Sequence, residues 1–544
     1  MTYVQTLRQL MVSTGGLVSG VGITTLFFLA LNYSPQTKGY WSPRPLGFQE
    51  VHSLNITSDQ GVGQRSVINE TAANIYDCEP TLDFEVTRRQ VETNLRDAWF
   101  FFSDLQKQLH LNKGKMSQEE FNKNQNEGAE RIRVLQYDLW RLSQMGGKKG
   151  SWREREATEL SEEIQRRLYR LQHPPDCTTA KKLLCDLDTP CGLGCQFHHL
   201  IHCFMAAYET HRTLVLNSTG WRYSPKGWET VFQPFSETCT NYSKANITYW
   251  PGKSDSPTIR FPPSYIMNPS PNMLPLAIPR DISKRLLRLH GNPGVWWMGQ
   301  FIKYFFKFQP NMQETISKTE KSIQFEHPIV GVHVRRTDKR TETSYHNVEE
   351  YMEQVEEYFA GLQLLDPNVT RRIYLSSDEP KVYEEMEKKY PHYKILYHRK
   401  HVQVDQDITR FTVTSLRDLV VDIYFLARTD YIVVTFTSNI GRLVYEMMQT
   451  LNHDASAKFY SLDKGFYSHS QRPNFSRVRF THQARRANVT LQSGEKLMMS
   501  SYHYSFAKNR YLPYVNTRKK TVFVASYMLE NIVDVVNISS PYLR

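Results

Sequence analysis

The chain has 544 residues, 40% of them hydrophobic and 22% charged, with 67 Lys+Arg against 55 Asp+Glu for a formal charge of +12. At roughly 100–200 residues per domain this length predicts three or four domains. Twelve per cent aromatics with only 26 Gly and 26 Pro exclude a disordered, collagen-like or low-complexity chain. The basic balance favours anionic partners such as phosphates, nucleic acid or membrane surfaces, without choosing among them.

From Leu10 to Leu31, 22 residues carry no charge and end in the apolar run Ile23-Thr-Thr-Leu-Phe-Phe-Leu-Ala-Leu31. That length crosses a ~30 Å hydrocarbon core as a helix. A cleaved signal peptide is the alternative. The apolar part exceeds a usual signal core, and no small-x-small cleavage site follows before Asn32-Tyr-Ser-Pro. These features favour an uncleaved transmembrane signal anchor over 10–31 with a cytosolic tail at 1–9. Ten Asn-x-Ser/Thr sequons begin at Asn32, Asn55, Asn69, Asn217, Asn241, Asn246, Asn368, Asn474, Asn488 and Asn537, and together they lean towards a lumenal body. Residues 32–80, rich in Ser, Asn, Gln, Thr and Gly, read as a stem.

Helical patterning occupies 81–173. Val91, Leu95, Ala98, Phe102, Leu105 and Leu109 recur at four- and three-residue steps, as do Ile132, Leu135, Leu139 and Leu142. A third stripe is Ala157, Leu160, Ile164, Leu168 and Leu171, preceded by Ser151-Trp-Arg-Glu154, a capping-box pattern. A helical coiled-coil arm that packs on itself or pairs two chains is the expectation, and helix-to-core packing is the alternative. Six of the seven cysteines follow between Cys177 and Cys239: Cys177, Cys185, Cys191, Cys195, Cys203 and Cys239. His198, His199 and His202 are interleaved with them, so zinc is conceivable. There is no CxxC pair, however, and a lumenal chain favours disulfides whose connectivity spacing leaves open. Cys78 is left over in the stem.

From about 324 the pattern becomes βα alternation. Strands are expected at 327–334, 372–375, 393–397 and 431–436. Helices are expected at 347–365, 380–390, 414–427 and from about 439. This implies an α/β fold with a doubly wound parallel sheet, whose ligands bind beyond the carboxyl ends of the strands. The last ~75 residues lose that rhythm and read as a small β domain.

Gly331-Val-His-Val-Arg-Arg-Thr-Asp-Lys-Arg340 ends the first of those strands with His333 and Arg335 at alternate positions. A guanidinium fork matches phosphate oxygens, so this turn can clamp a diphosphate; a solvated charged turn is the bland reading. No recognised nucleic-acid motif is present. The absence of GxxxxGK[ST] and of a strand-linked GxGxxG excludes P-loop and dinucleotide redox chemistry. Asp186-Leu-Asp188 and Asp405-Gln-Asp407 match DxD, but neither follows a convincing buried strand in the pattern, so no catalytic metal is expected. Asp378, Glu379, Asp422 and Glu342 are candidate carboxylates. Glu342, beside the arginines, suits a general base for an attacking hydroxyl.

The stretch Gly331–Lys339 resembles the donor-site motif of the α1,6-fucosyltransferase family, which adds core fucose to N-glycans. Further resemblance lies in Trp152-Arg-Glu-Arg-Glu156, Cys191-Gly-Leu-Gly-Cys-Gln-Phe-His-His199, Trp221-Arg-Tyr223 and Gly227-Trp-Glu-Thr-Val-Phe232. Ser236-Glu-Thr-Cys239, Val295-Trp-Trp297 and Tyr445-Glu-Met-Met-Gln-Thr-Leu451 extend it, so that it covers about residues 80–544.

The resemblance implies a Golgi type II single-pass membrane protein with a coiled-coil stem and a glycosyltransferase B-like catalytic body. That body would have a disulfide-rich open α/β subdomain (174–323) and a Rossmann donor-binding subdomain (324–470), followed by an SH3-like domain (471–544). It further implies inverting, metal-independent transfer of L-fucose from GDP-β-L-fucose to O6 of the innermost GlcNAc, on a homodimer formed through the arm. No cofactor is implied beyond the donor substrate.

Carried over by motif, His333, Asp422 and Tyr223 become donor contacts, Arg335 the diphosphate clamp and Arg336 its supporting cation. Lys339 and Glu342 become the pair that positions and deprotonates the acceptor hydroxyl, and Asp378, Glu379, Ser438 and His503 become acceptor contacts. The implied disulfides are Cys177 with Cys239, Cys185 with Cys203 and Cys191 with Cys195. Against the family pattern, Arg340-Thr-Glu342 is one residue shorter and Glu379 stands for a second Asp. Ser500-Ser-Tyr-His-Tyr504 replaces an Asn-His-Trp run, and Val434 and Gly441 occupy the places of a late disulfide. Other readings are a fucosyltransferase acting on protein Ser/Thr and a catalytically weak glycan-binding protein.

Overall fold

The structure is a computed structural model. It describes residues 80–113, scattered positions between 119 and 139, and then 148–187, 189–263, 266–336, 345–398, 411–484, 489–500 and 511–538. All belong to one of the chain's two compact units, Thr71–Arg544. The predicted tail, anchor and Cys78, and all but the last residue of the stem, lie outside the described residues. Among these, no helix is long and apolar enough to cross a membrane.

Two long helices come first, α1 (Leu82–Lys113) and α2 (Lys148–Gln172). In α2 the stripe Ala157, Leu160, Ile164, Leu168 and Leu171 is at most 8% exposed, and its four larger members join the main core of the same chain. This stripe therefore packs helix to core, correcting the coiled-coil expectation for it. Burial of five apolar side chains at 3.6-residue spacing needs a partner surface, and its own body supplies one. The helix also begins three residues ahead of Ser151, so Ser151–Glu154 is not a capping box at its start. α1 is tied down at its N-terminal half. Glu85, fully buried, pairs with Arg153 at 2.5 Å, and Arg89 donates to the carbonyls of Leu287 and Arg288 at 2.6 and 3.0 Å. Its stripe residues Val91 and Phe102 remain exposed.

A first sheet follows, built from β1 (Lys182–Asp186), β2 (Thr213–Asn217), β3 (Ile247–Tyr249) and β4 (Thr258–Arg260), with α3 (Leu193–Glu209) between β1 and β2. Its order is β2-β1-β4-β3, all parallel. The cysteines around it pair as Cys177–Cys239, Cys185–Cys203 and Cys191–Cys195. His199 Nε2 lies 3.8 and 3.6 Å from the sulfurs of Cys185 and Cys203, but those thiolates are spent on each other, so the zinc alternative has no ligands there. Next come β5 (Ala277–Pro279), α4 (Arg280–Leu289), α5 (Pro293–Phe305) and α6 (Pro310–Ile323).

The βα alternation then folds as expected. β6 (Ile329–Val334), α7 (Val348–Gln363), β7 (Arg372–Ser377), α8 (Pro380–Lys389) and β8 (Lys394–Leu396) come first; α9 (Val413–Ala427), β9 (Tyr431–Val434), α10 (Asn439–Leu451) and β10 (Phe459–Ser461) follow. The parallel sheet has order β10-β9-β6-β7-β8. The chain thus winds outward to β8 and returns to the other side of β6, so the topological switch lies between β6 and β9. A ligand crevice opens at that point in such sheets.

The C-terminal part forms an antiparallel sheet of β11 (Phe475–Val478), β14 (Lys496–Met499), β15 (Tyr511–Val515), β16 (Thr521–Ala525) and β17 (Leu529–Ile532), in order β16-β15-β14-β11-β17. The short pair β12 (His482–Gln483) and β13 (Thr490–Leu491) lies beside it. This sheet has its own small core around Leu491, Leu497, Tyr514, Val522 and Val524. β18 (Asp534–Val536) then leaves it and pairs in parallel with β5, stitching the end of the described chain to the first half of the body.

Helices α3, α5 and α10 pack against one another, and one continuous core runs from Trp152 through Val536. Close approach is the condition. A Cβ on Gly299 of α5 would lie 2.6 Å from the Glu446 carbonyl of α10. Replacing an interior helical glycine with alanine ordinarily gains about 1 kcal/mol. At this contact, overpacking of about 1–3 kcal/mol wins. Gly299→Ala is therefore expected to lower stability in denaturant titration, and a stabilised variant would contradict the packing.

Candidate functional site

The register of β6 and β7 builds one face of the crevice. Gly331 pairs with Tyr374 and His333 with Ser376, and alternation carries Arg335 opposite Asp378. Arg335 and Asp378 form an ion pair of 2.9 Å. Below them, Asp422 of α9 is 2% exposed and accepts hydrogen bonds from the Tyr374 hydroxyl at 2.8 Å and the Ser376 hydroxyl at 2.9 Å. His333, 4% exposed, has an Nδ1 with no hydrogen-bond partner among the described residues. Burial, reinforced by the Arg335 charge, holds its imidazole down at about 4. At neutral pH it is an uncharged hydrogen-bonding group, and positive charge at this strand end comes from the arginines.

Arg336 points to the opposite face. It pairs with Glu379 and Glu385 at 3.4 and 3.3 Å, donates to the His346 carbonyl at 3.1 Å and lies over the Tyr345 ring. Its amide donates to Asp378 at 2.9 Å. Asp378 thus holds the Arg335 side chain and the Arg336 amide, while Glu379 pairs with Arg336 and occupies the N-cap position of α8.

Across the switch point, β9 turns into α10 through Thr435-Phe436-Thr437-Ser438. The Ser438 amide donates to the Thr435 carbonyl at 3.2 Å, and the Ser438 side chain does not cap the helix. Gly441 and Val434 meet at the base of this turn: a Cβ on Gly441 would lie 3.3 Å from the Val434 Cβ and 2.8 Å from the Thr435 carbonyl. The N-terminus of α3 arrives beside that of α10, since a Cβ on Gly194 would sit 2.9 Å from the Asn439 backbone. Tyr223, 2% exposed, accepts the Leu193 amide of α3 at 3.0 Å and packs on Phe411. Helix N-termini present amides and partial positive charge, which suits an anion.

Comparison with known proteins then decides the family. The family model for alpha-(1,6)-fucosyltransferase N- and catalytic domains matches residues 49–467. The alpha-(1,6)-fucosyltransferase of Drosophila melanogaster is 42% identical over 433 residues, covering 78% of this chain and 70% of that protein. That of Caenorhabditis elegans is 34% identical over 397 residues, covering 70% of each. This chain belongs to the alpha-(1,6)-fucosyltransferase family. It is a fucosyltransferase enzyme.

Among solved structures, a mutant of Arabidopsis thaliana FUT1 in complex with GDP is similar at 13% identity and a TM-score of 0.36, covering 68% of this chain and 87% of that one. Fucosyltransferase NodZ from Bradyrhizobium is similar at 14% and 0.32, covering 49% and 92%. At those values the likeness carries no residue across.

In this alpha-(1,6)-fucosyltransferase family member the structure brings His333, Arg335, Arg336, Asp378, Glu379 and Asp422 together around β6 and β7, with Ser438 and Tyr223 at the two helix N-termini. Lys339, Glu342 and His503, like Asp188, Asp405 and Asp407, lie outside the described residues. One expectation is corrected: Asp186 does end a buried strand, β1. It is nonetheless committed to Arg260 at 2.8 Å and to the Asn217 amide at 2.7 Å. Sequence reasoning missed Tyr374 and Ser376, although strand alternation puts them on the His333 face. It also missed Asp463 and Arg442, for which no local pattern speaks.

Burial likewise holds His199 and His202 down at about 4. Each of these two imidazoles and His333 binds a proton more weakly folded than unfolded. Between the ordinary 6.5 and about 4 the unfolded chain therefore carries more protons, and stability falls as pH falls. Thermal unfolding should show a midpoint that drops steadily from pH 7 to pH 4.5, with a shallower drop for His333→Gln. An unchanged midpoint over that range would mean these imidazoles already titrate normally.

Proposed function

We propose that this fucosyltransferase moves L-fucose from GDP-β-L-fucose to O6 of the innermost GlcNAc of N-glycans, with inversion and without a metal. The observation that carries the reading is Arg335 just past the end of β6, at the switch point of a parallel sheet where the neighbouring strand β9 leads into α10. The family membership supplies the α1,6 reaction. Arg335 binds the diphosphate through its donor fork, which can hold a carboxylate and phosphate oxygens together, and Arg336 supports it. His333, Asp422 and Tyr223 serve the nucleotide. Asp378, Glu379, Ser438 and His503 contact the acceptor.

In the reaction Glu342 takes the proton from the acceptor hydroxyl while Lys339 positions it. The acceptor oxygen forms a bond to the anomeric carbon of fucose as that carbon's bond to the phosphate oxygen breaks, and the electron pair leaves with GDP. A diphosphate held by a guanidinium and helix amides needs no strong acid to depart. Around this site we place a glycosyltransferase B-like body, an SH3-like domain over 471–544, and a type II anchor holding the body in the Golgi lumen. The exposed Val91 and Phe102 of α1 support an arm that pairs two chains into a homodimer.

The test is incubation with GDP-fucose, EDTA and an agalacto N-glycopeptide, read by mass spectrometry. One added fucose on the innermost GlcNAc is expected, and Arg335→Ala is expected to lower turnover on the order of 10²–10³-fold. Transfer restored only by divalent metal would sink the metal-free mechanism. Fucose found on Ser or Thr instead would replace the acceptor, and GDP binding without transfer would favour a glycan-binding protein.

A further inference from the structure

Asp463 lies two residues past β10, and the parallel pairing of Ser461 with Val434 delivers it to the turn between β9 and α10. It is 8% exposed. Its Oδ1 accepts the Phe436 amide at 2.8 Å, the Ser461 hydroxyl at 3.0 Å and the Lys464 amide at 2.6 Å. Its Oδ2 accepts the Thr437 amide at 3.2 Å and the Thr437 hydroxyl. A carboxylate with this many donors is held in one orientation and has its charge largely neutralised. From the other side Arg442, 1% exposed, donates to the Phe436 carbonyl at 2.6 Å and to the Asn439 side chain, and stacks on Tyr467. The Arg442 amide donates to the Ser438 carbonyl at 3.2 Å.

The turn's own polar groups are thereby drawn inward: amides 436 and 437 to Asp463, carbonyl 436 to Arg442, carbonyl 438 into the helix. The first amides of α10 have no intrahelical acceptor, and the Ser438 side chain is not spent on capping them. We infer that Asp463 is a positioning residue for the donor diphosphate, acting through the Thr435–Ser438 turn to aim the α10 N-terminus. This rests on the donor reading proposed above. Asp463 touches no reacting atom. Its effect passes through the direction of the 436 and 437 peptide planes, whose amides it holds and which lead directly into the α10 N-terminus.

The experiment compares the full-length enzyme with Asp463→Asn and Thr437→Val, measuring KM for GDP-fucose, KM for the glycopeptide, kcat and the thermal midpoint. The asparagine turns one acceptor oxygen into a donor facing donors. It should raise the donor KM roughly tenfold, the loss of about one charge-assisted hydrogen bond's worth of alignment, while the acceptor KM, set in the proposal by Asp378, Glu379 and His503 as well as Ser438, rises less. Thr437→Val is nearly isosteric and removes only the hydroxyl, so it should fold and give a smaller rise of the same kind. A donor KM unchanged in both variants, with only the thermal midpoint lowered, makes Asp463 merely structural and overturns the inference. So does a rise shared equally by donor and acceptor. Absence of transfer by the wild-type enzyme would instead defeat the function reading, so the two failures are told apart.

Discussion

Everything at the crevice depends on how closely α10 packs against α3 and α5. Glycines at 299 and 194 bring the helices to distances that a Cβ would forbid. The contact is sealed by a buried pair, His198 Nε2 to Glu446 at 3.0 Å, with both side chains at most 5% exposed. Taking such groups out of water is costly unless they meet, so the pair tolerates little sliding. Its consequence is geometric. Because α3 belongs to the first sheet and α10 to the second, locking their bodies also fixes their N-termini side by side at the switch point. Two sheets with separate topologies thereby present one site.

Charge is distributed more sparingly than a net +12 suggests. Among the described residues Arg335 and Arg336 are faced by Asp378, Glu379 and Glu385, so the cations at the β6 end are matched by carboxylates rather than massed against solvent. Under the donor reading proposed above, attraction for a diphosphate comes from alignment more than from net charge: a guanidinium held by Asp378 is pre-oriented, and helix amides are fixed dipoles that need no reorganisation. A surplus of loose lysines would attract the same anion but spend more entropy holding it.

The parallel sheet was legible because strand and helix signals there coincide with burial. Valines 330, 332 and 334 repeat every two residues, and Gly331, His333 and Arg335 follow from the same period on the other face. The α2 stripe was ambiguous for a physical reason. An apolar heptad-like stripe specifies a partner surface without saying whose, and here it is the helix's own body. Asp186 misled because β1 is only five residues long, too short for its burial to show in the pattern. Glu446, Arg442 and Asp463 were invisible because each owes its role to a contact across the fold: α10 with α3, a helix with its preceding turn, and an edge strand with its neighbour. Tertiary polar contacts leave no local period.

The turn at 435–438 shows what such contacts can replace. By the resemblance drawn from the sequence, Val434 and Gly441 would stand where the family pattern has a late disulfide, and the structure sets the two against each other at the base of this turn. A covalent bridge there would restrain the ends of the segment and leave its peptide planes to rotate. Asp463 and Arg442 restrain the planes themselves, because they bind amides 436 and 437 and carbonyl 436 individually. Glycine at 441 has a separate reason to be retained, since any side chain would press on the Thr435 carbonyl at 2.8 Å. Directional hydrogen bonds from buried groups thus take over from a cross-link, and they act on the degree of freedom that aims the helix N-terminus at its ligand.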